Sequence, residues 1–146
     1  MPGIIVGIDG SGHARHALEW AVNEAAIRHT PLTVLTVNQA VIGWGAPMSY
    51  PGDEELMAKA RKAAEEETEV VLEKIAAESR PSVTVKAVTG LPGEALMNAA
   101  AAADADMIVV GSRGAGGFKR LLMGSVSTQV THHAHCPVVV IPADRN

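Results

Sequence analysis

Apolar residues follow two different patterns along this chain. Short runs rich in apolar residues occur at five places, namely 3–8, 32–37, 83–88, 107–110 and 136–142. Between these runs, apolar residues recur every three or four positions in four segments, namely 12–28, 53–79, 92–103 and the residues from 125 onward. The first pattern is typical of strands in a buried sheet, and the second is typical of helices with one buried side. The sequence therefore predicts five strands that alternate with four helices.

Residues that begin or end helices support this division. Ser11 or Gly10 can cap the first helix, and Thr30-Pro31 stops it. Pro92 suits the first turn of the third helix. In the second helix, the run Glu65-Glu66-Glu67 interrupts the apolar stripe at Glu67 and is typical of a solvated face.

Residues 38–52 contain several glycines and prolines but no hydrophobic periodicity. This composition predicts a long loop without regular structure. A long loop at this place is a candidate lid over a ligand site. Trp44 or Tyr50 could then cover a bound base.

Strands that alternate with helices favour one architecture. They predict a parallel sheet with right-handed crossovers and helices on both faces, which is a three-layer α/β/α sandwich. We expect the common strand order 3-2-1-4-5, with the partly polar strand 83–88 at an edge. No shift in composition marks a second domain, so residues 1–146 are expected to form a single domain.

Composition and charge narrow the possible environment and partners. The chain has 146 residues, of which 47% are hydrophobic and 19% charged, and its net charge of −4 argues against non-specific nucleic-acid binding. No apolar run approaches the roughly 20 residues that span a bilayer, and the start lacks the pattern of a signal peptide. The single Cys136 cannot form an internal disulfide. We therefore expect a cytoplasmic protein without a membrane or nucleic-acid partner.

The segment 106–127 carries the strongest chemical signal. The apolar run 107–110 predicts a buried strand, a glycine-rich loop follows from Gly111, and a helix begins near Gly124-Ser125. Glycines directly after a strand let the backbone approach a ligand closely. Ser125 or Ser127 can cap the helix, which carries Val126, Val130 and Ala134 along one side. The N–H groups at such a helix start, strengthened by the helix dipole, form a site for a phosphate.

The expected topology points to the same place. In an open parallel sheet, ligands bind beyond the carboxyl ends of the strands where the strand order reverses. In the expected order this point lies between the first and fourth strands. The first strand ends in Asp9-Gly10-Ser11 and the fourth in Gly111-Ser112-Arg113-Gly114. These two polar strand ends are therefore expected to lie together at a phosphate or nucleotide site.

Two widespread phosphate-binding loops do not fit this segment. A Walker A loop requires a glycine followed by lysine, and no glycine in the chain is followed by lysine. The dinucleotide motif started from Gly114 and Gly116 would need a third glycine where Lys119 stands. The spacing that does occur is Gly111-x2-Gly114-x9-Gly124-Ser125. It resembles the nucleotide-binding signature of the universal stress protein family, in its ATP-binding branch.

The resemblance extends over essentially the whole chain. It rests on the segments 5–11, 88–90, 110–114, 122–127 and 135–140. It implies the fold of the adenine nucleotide alpha hydrolase-like proteins and the binding of ATP, with Mg²⁺ as a further ligand. It also implies a regulatory role in the stress response and a homodimer formed through the final strand, 137–142.

The resemblance also implies roles for individual residues. Asp9 would meet the ribose or the polar edge of the nucleotide, Gly7 and Ile8 would line the purine, and Val37 would offer main-chain groups to adenine. The remaining residues of the implied site would surround the ribose and the phosphates, namely Val110, Gly111, Ser112, Arg113, Gly114, Gly124, Ser125, Val126 and Ser127. The resemblance assigns no catalytic residue and no metal ligand.

Several of these residues have simpler interpretations. Asp9 could serve only as a turn residue that caps a helix, and Arg113, Lys119 and Arg120 could be ordinary surface cations. The histidines near the end of the last helix are typical of a surface helix end rather than a metal cluster, namely His132, His133 and His135. Cys136 is expected to be a small apolar core residue.

Three classes of function remain compatible with the sequence. The first is a regulatory nucleotide-binding protein, the second is a slow ATPase or phosphotransferase, and the third is a flavin or adenylate module on a similar sheet. Asp9 is the one carboxylate that the sequence assigns to the site, and a lone carboxylate can hold Mg²⁺ or a ribose without acting as a base. Few aromatic residues are available to enclose a flavin ring. We therefore favour the nucleotide binder.

Overall fold

A five-stranded parallel sheet carries helices on both of its faces. The computed structural model describes residues 2–10, 12–39, 41–43, 46–48, 53–112 and 125–142. The helices are α1 Gly12–Arg28, α2 Asp53–Leu72, α3 Pro92–Ala103 and α4 Ser125–His133, with a 3-10 helix at Ala77–Ser79. The strands are β1 Ile4–Ile8, β2 Leu32–Gln39, β3 Val41–Gly43, β4 Ala46–Met48, β5 Val83–Gly90, β6 Met107–Gly111 and β7 Val138–Ile141.

The strands of the main sheet are arranged in the order β5-β2-β1-β6-β7. Counted along the chain, this is the predicted order 3-2-1-4-5, and every pairing within it is parallel. The strand order therefore reverses between β1 and β6, which are direct neighbours. The predicted three-layer α/β/α architecture is confirmed.

Two apolar cores lie on opposite faces of this sheet. Residues of β1 alternate between them, so that Val6 packs with α1 and α2 whereas Ile5 packs with α3 and α4. On the first face α1 contributes Leu18 and Val22, both completely buried. Because β1 and β6 are apolar on both sides, helices cover both faces of these strands, as the unbroken apolar runs predict.

The prediction of an unstructured loop at 38–52 is wrong in part. β2 extends to Gln39, and β3 and β4 form a small antiparallel sheet in which Ile42 lies opposite Pro47. Proline is compatible with a strand that pairs on one side only, because the missing N–H then breaks no ladder bond. Trp44 and Tyr50, the predicted covers for a base, lie outside the described residues.

The second helix is continuous through Glu67 and ends earlier than predicted. It ends at Leu72 rather than near residue 79, and a separate 3-10 helix follows. Past its end, the N–H groups of Lys74 and Ile75 donate to the carbonyls three residues before them, at 3.2 and 3.0 Å. These tighter turns carry Ile75 back against the first core.

The two edge strands have different surfaces. Along β5 the exposed residues Thr84 and Lys86 alternate with half-buried ones, which confirms the predicted edge strand with one wetter side. All four residues of β7 are apolar and half-buried. This strand begins at Val138, two residues later than predicted, so Cys136 precedes it. None of the described helices is both long enough and apolar enough to span a bilayer.

Candidate functional site

The carboxyl ends of β1 and β6 lie side by side at the reversal of the strand order. Val6 is opposite Val109 in this pair. Asp9 directly follows the last residue of β1, and Ser112 directly follows the last residue of β6. Asp9 is exposed and Ser112 is half-buried. The structure therefore brings together the two strand ends that the sequence identified as polar.

Gly10 makes the sharp turn that separates β1 from α1. Its φ is +82°, which is a left-handed conformation, and a Cβ at this position would meet no atom within 4 Å. Glycine is therefore required here by the backbone conformation and not by crowding. The turn directs the chain from the end of β1 into the start of α1.

Helix α4 begins at the same edge of the sheet. A helix between two parallel strands returns the chain, so α4 runs from the carboxyl end of β6 to the amino end of β7. Its first turn contains Val126 and Ser127. The positive end of the helix dipole therefore lies at the carboxyl edge of the sheet.

Ser127 does not cap this helix, so that alternative for the cap is wrong. It lies within the first turn and is only 1% exposed. Its carbonyl oxygen accepts a hydrogen bond from Thr131 Oγ1 at 2.6 Å. Because the side chain is buried, contact between Ser127 and a ligand in solvent would have to use the main chain. Ser125 is the first residue of α4.

The side-chain positions of Gly7 and Ile8 point into the two cores. A Cβ on Gly7 would lie 2.9 Å from Leu96 Cδ1, so Leu96 of α3 fills that space. Ile8 is 6% exposed and packs in the first core. Val37 is half-buried against the second core. For Gly7 and Ile8, the groups left for a ligand are those of the main chain.

The end of β6 is held by its other neighbour. Val110 is buried, and the N–H of Ser112 donates to the carbonyl of Ile141 in β7 at 2.8 Å. This hydrogen bond continues the sheet one residue beyond Gly111. Arg113, Gly114 and Gly124 lie outside the described residues, as do Lys119 and Arg120.

Glu94 is a carboxylate at this edge that the sequence motifs did not indicate. It is exposed and lies in the first turn of α3, which begins directly beyond the end of β5. The available signal was Pro92, which marks the helix start and so places Glu94 within one turn of the edge. Asp9 is therefore not alone in offering a negative charge on this side of the sheet.

The histidines near the end of α4 and the single cysteine lie at the opposite edge of the sheet. His132, His133 and His135 are exposed at and just past the end of α4, as predicted, and the described residues contain no group of side chains arranged to hold a metal. Cys136 borders a pocket of about 110 Å³ near the amino ends of β6 and β7. Burial raises the pKa of this thiol above its ordinary value of 9.0. Cys136 was predicted to be a core residue, but it is half-buried and packs against the margin of the second core.

Comparison with known proteins identifies the chain's relatives. A profile of the universal stress protein family matches residues 2–142. A universal stress protein of Mycobacterium tuberculosis is 35% identical over 151 aligned residues, which cover 97% of this chain and 48% of that protein. The chain thus spans about half the length of the curated relatives that it matches.

Solved structures show the same fold. The universal stress protein UspA from Lactobacillus plantarum superimposes with a TM-score of 0.75 at 26% identity, covering 96% of this chain and 97% of that one. A universal stress protein in complex with cAMP gives 0.69 at 22% identity, with 98% of both chains covered. A complex of the Archaeoglobus fulgidus protein with dAMP gives 0.62 at 22% identity, covering 97% and 98%. The family profile and the similarity to the Mycobacterium tuberculosis protein together establish that the chain belongs to the universal stress protein family.

Proposed function

We propose that the chain binds an adenine nucleotide, ATP together with Mg²⁺, and acts as a regulatory module rather than as an efficient enzyme. The observation that carries the proposal is the adjacency of β1 and β6 at the point where the strand order reverses, since Asp9 follows the end of β1 and Ser112 follows the end of β6. Open parallel sheets bind ligands at this point. The start of α4 at the same edge supplies N–H groups suited to a phosphate.

The base and ribose would lie over the ends of β1 and β2. Gly7, Ile8 and Val37 would contribute main-chain groups, since the side-chain positions of the first two are already filled by core packing. The exposed carboxylate of Asp9 would accept hydrogen bonds from ribose hydroxyls or help to hold Mg²⁺.

The phosphates would lie between the end of β6 and the start of α4. The residues proposed to surround them are Val110, Gly111, Ser112, Arg113 and Gly114 on one side, and Gly124, Ser125, Val126 and Ser127 on the other. Main-chain N–H groups in this arrangement bind phosphate without a Walker A lysine. Bound Mg²⁺ would supply positive charge that offsets repulsion between phosphate groups.

Two solved relatives support an adenine nucleotide as the ligand. One universal stress protein is described in complex with cAMP, and another in complex with dAMP. Both ligands contain adenine, a ribose-type sugar and one phosphate group. The two complexes favour adenine over other bases, whereas the number of phosphates that this chain prefers has to be measured by titration.

We propose slow or no turnover of the bound ATP. Efficient phosphoryl transfer needs cations that stabilise developing charge and a group that orients the attacking oxygen. Asp9 and Glu94 are the carboxylates that the described residues offer at the ends of β1 and β5, and Glu94 is exposed on the first turn of a helix. Nucleotide binding would instead shift the chain between two surface states that partners distinguish.

We propose that these states are read out in a cytoplasmic homodimer formed through residues 137–142. The support is the surface of β7, whose four residues are apolar although the strand lies at the edge of the sheet. An unguarded strand edge of this kind pairs readily with a second copy.

Denaturing the purified protein and identifying the released nucleotide by mass spectrometry tests the ligand directly. We expect an adenine nucleotide in the released material. Calorimetric titration of nucleotide-free protein with ATP, ADP, AMP, cAMP and GTP, with and without Mg²⁺, should give the tightest binding for ATP with Mg²⁺. Failure to bind any adenine nucleotide would refute the proposal, whereas several ATP turnovers per second would replace the regulatory module with an ATPase.

A further inference from the structure

Helix α2 presents an apolar surface that the rest of the described chain leaves uncovered. Leu56 and Val70 are 54% and 43% exposed, and Ala63 between them is also exposed. These three residues are spaced seven apart, so they lie in line along one side of the helix. We call them the α2 stripe. The helix buries a different side, which carries Thr68 and Val71.

Charged residues on the two sides of the α2 stripe differ in their partners. On the side toward α1, Glu67 forms an ion pair with Arg15 at 3.4 Å. On the opposite side lie Lys59 and Glu66, which are exposed and form no ion pair with any described residue. They are seven positions apart, which is too far for a pair within one helix. Their charges are therefore available to a partner that docks on the stripe.

We propose that the α2 stripe docks against the α2 stripe of a second copy of this chain, with the two helices antiparallel. Placing Ala63 opposite its own copy brings Leu56 of one chain to Val70 of the other. Lys59 lies four residues before Ala63, and Glu66 lies three residues after it. In this alignment Lys59 of one chain and Glu66 of the other therefore differ by one residue in height, which is about 1.5 Å along the helix axis. Two such Lys–Glu pairs form, one for each half of the symmetric contact.

The order of charges along α2 suits this arrangement and this partner. The two-fold axis of an antiparallel pair puts the same side of both helices together, so Lys59 of one chain lies by Glu66 of the other while the apolar stripe is buried. In a parallel pair, the side that carries Lys59 and Glu66 would lie beside the opposite side of the other helix, so these two residues would not meet. A surface that is complementary to itself in both charge and apolar pattern fits a second copy of the chain.

Ala63 at the centre allows the two helices to approach closely. Small side chains at the crossing point permit axis separations near the lower end of the usual range of about 8–10 Å. The surface is a single helix face, well below the size of stable interfaces, so the contact is weak and dependent on protein concentration. It is separate from β7, which lies at the far edge of the sheet from the strands that α2 covers.

Disulfide trapping tests this contact. In a Cys136→Ser background, an Ala63→Cys variant should form a covalent pair of chains under mild oxidation, visible on a non-reducing denaturing gel. Ala58→Cys is the matched control, since Ala58 is also an exposed alanine of α2 but lies about 140° around the helix. We expect Ala63→Cys to crosslink several-fold faster than Ala58→Cys.

Charge reversal supplies the second arm of the experiment. Added to the Ala63→Cys chain, Lys59→Glu should slow crosslinking several-fold, and Lys59→Glu combined with Glu66→Lys should restore it. All the substituted residues of α2 are exposed, so circular dichroism should show an unchanged fold. Equal crosslinking at positions 58 and 63, no crosslinking at 63, or no recovery in the double reversal would each overturn the proposal. The nucleotide site takes no part in this readout, so the two proposals fail independently.

Discussion

Leu96 occupies the space where Gly7 would carry a side chain. A Cβ built on Gly7 lies 2.9 and 3.0 Å from the two methyl groups of Leu96; the first distance is shorter than real Cβ contacts, and the second is tighter than most of them. Leu96 is 2% exposed and belongs to the second core. Contact between β1 and α3 at this point therefore depends on the absence of a side chain in β1.

Replacing Gly7 with alanine is expected to destabilise the fold. Overpacking of a filled core typically costs about 1–3 kcal/mol. In a Leu96→Ala background the added methyl group has room, so the same substitution should cost much less there. Urea unfolding midpoints for the single and double variants measure this coupling.

Gly10→Ala is the control for this pair. It should also destabilise the fold, by about 1–2 kcal/mol, because alanine is strained at a left-handed φ. No atom lies near its added Cβ, so its cost should be the same in the native chain and in the Leu96→Ala background. Additive costs for Gly7→Ala and Leu96→Ala would contradict the proposed crowding.

Asp9→Asn should weaken ATP binding roughly ten-fold or more, because a hydrogen bond to a charged group contributes about 1.5–3 kcal/mol. Titration calorimetry with ATP and Mg²⁺ measures the change. Asp106→Asn is the matched control, since Asp106 is also exposed but precedes β6 at the opposite edge of the sheet. If both variants bind ATP as the unaltered chain does, Asp9 has no part in the site.

Gly124→Val should block the close approach of the phosphates while the chain remains folded. A β-branched residue limits the backbone and adds bulk where the proposed ligand contacts main-chain N–H groups. We expect a loss of ATP affinity with an unchanged circular dichroism spectrum. Unchanged affinity in the folded variant would remove Gly124 from the proposed phosphate site.

Val140→Pro should convert the proposed homodimer into a monomer. The carbonyls of Pro137 and Ile141 accept hydrogen bonds from Ile108 and Ser112, so the main-chain groups of Val140 point to the free edge. Proline there removes an outward N–H and leaves the pairing with β6 intact. Light scattering at micromolar concentration measures the mass of the particle.

A proline on the other edge of the sheet is the control for this variant. Ser82 accepts a hydrogen bond from Leu32 in β2, so the groups of Val85 in β5 point outward by the same alternation. Val85→Pro should therefore leave the dimer intact. Val139→Lys should break the dimer as Val140→Pro does, because a charge on an edge strand opposes pairing. A dimer that survives both substitutions in β7 would exclude this strand as the interface.

Stability should fall at alkaline pH through Cys136. Burial raises the pKa of this thiol above 9.0, so the folded chain keeps the proton at pH values where the unfolded chain loses it. The thiol's contribution is fully present below pH 9.0 and is lost as the pH rises through the folded pKa. Urea midpoints compared with those of Cys136→Ala between about pH 8 and 10 test this, and parallel profiles for the two proteins would contradict it.

The main sheet could be predicted because its central strands are apolar on both faces. Runs such as Met107–Gly111 have no other stable place than the interior of a parallel sheet. The strand order followed from the commonest topology for alternating strands and helices, and the structure has that order. The strands that end before Asp9 and before Ser112 could then be predicted to be neighbours, because that strand order places the first and fourth strands together.

Other features depend on contacts between distant residues and leave no local signal. β3 and β4 pair only with each other among the described strands, and Pro47 in one of them is typical of a loop. Glu67 looks like a break in an apolar stripe, yet Arg15 from α1 pairs with it and the helix continues. The space beside Gly7 is occupied by Leu96, which depends on how α3 packs. No sequence pattern could show that this space is closed to a purine.

Lys86 limits how far sheets of this protein can join. It stands exposed on β5, and a charged side chain on an edge strand opposes further pairing. If a second copy paired through β7, the outer edge of the joined sheet would again be a β5 strand that carries Lys86. Strand pairing would then stop at two copies, so the apolar edge strand β7 would not lead to fibres.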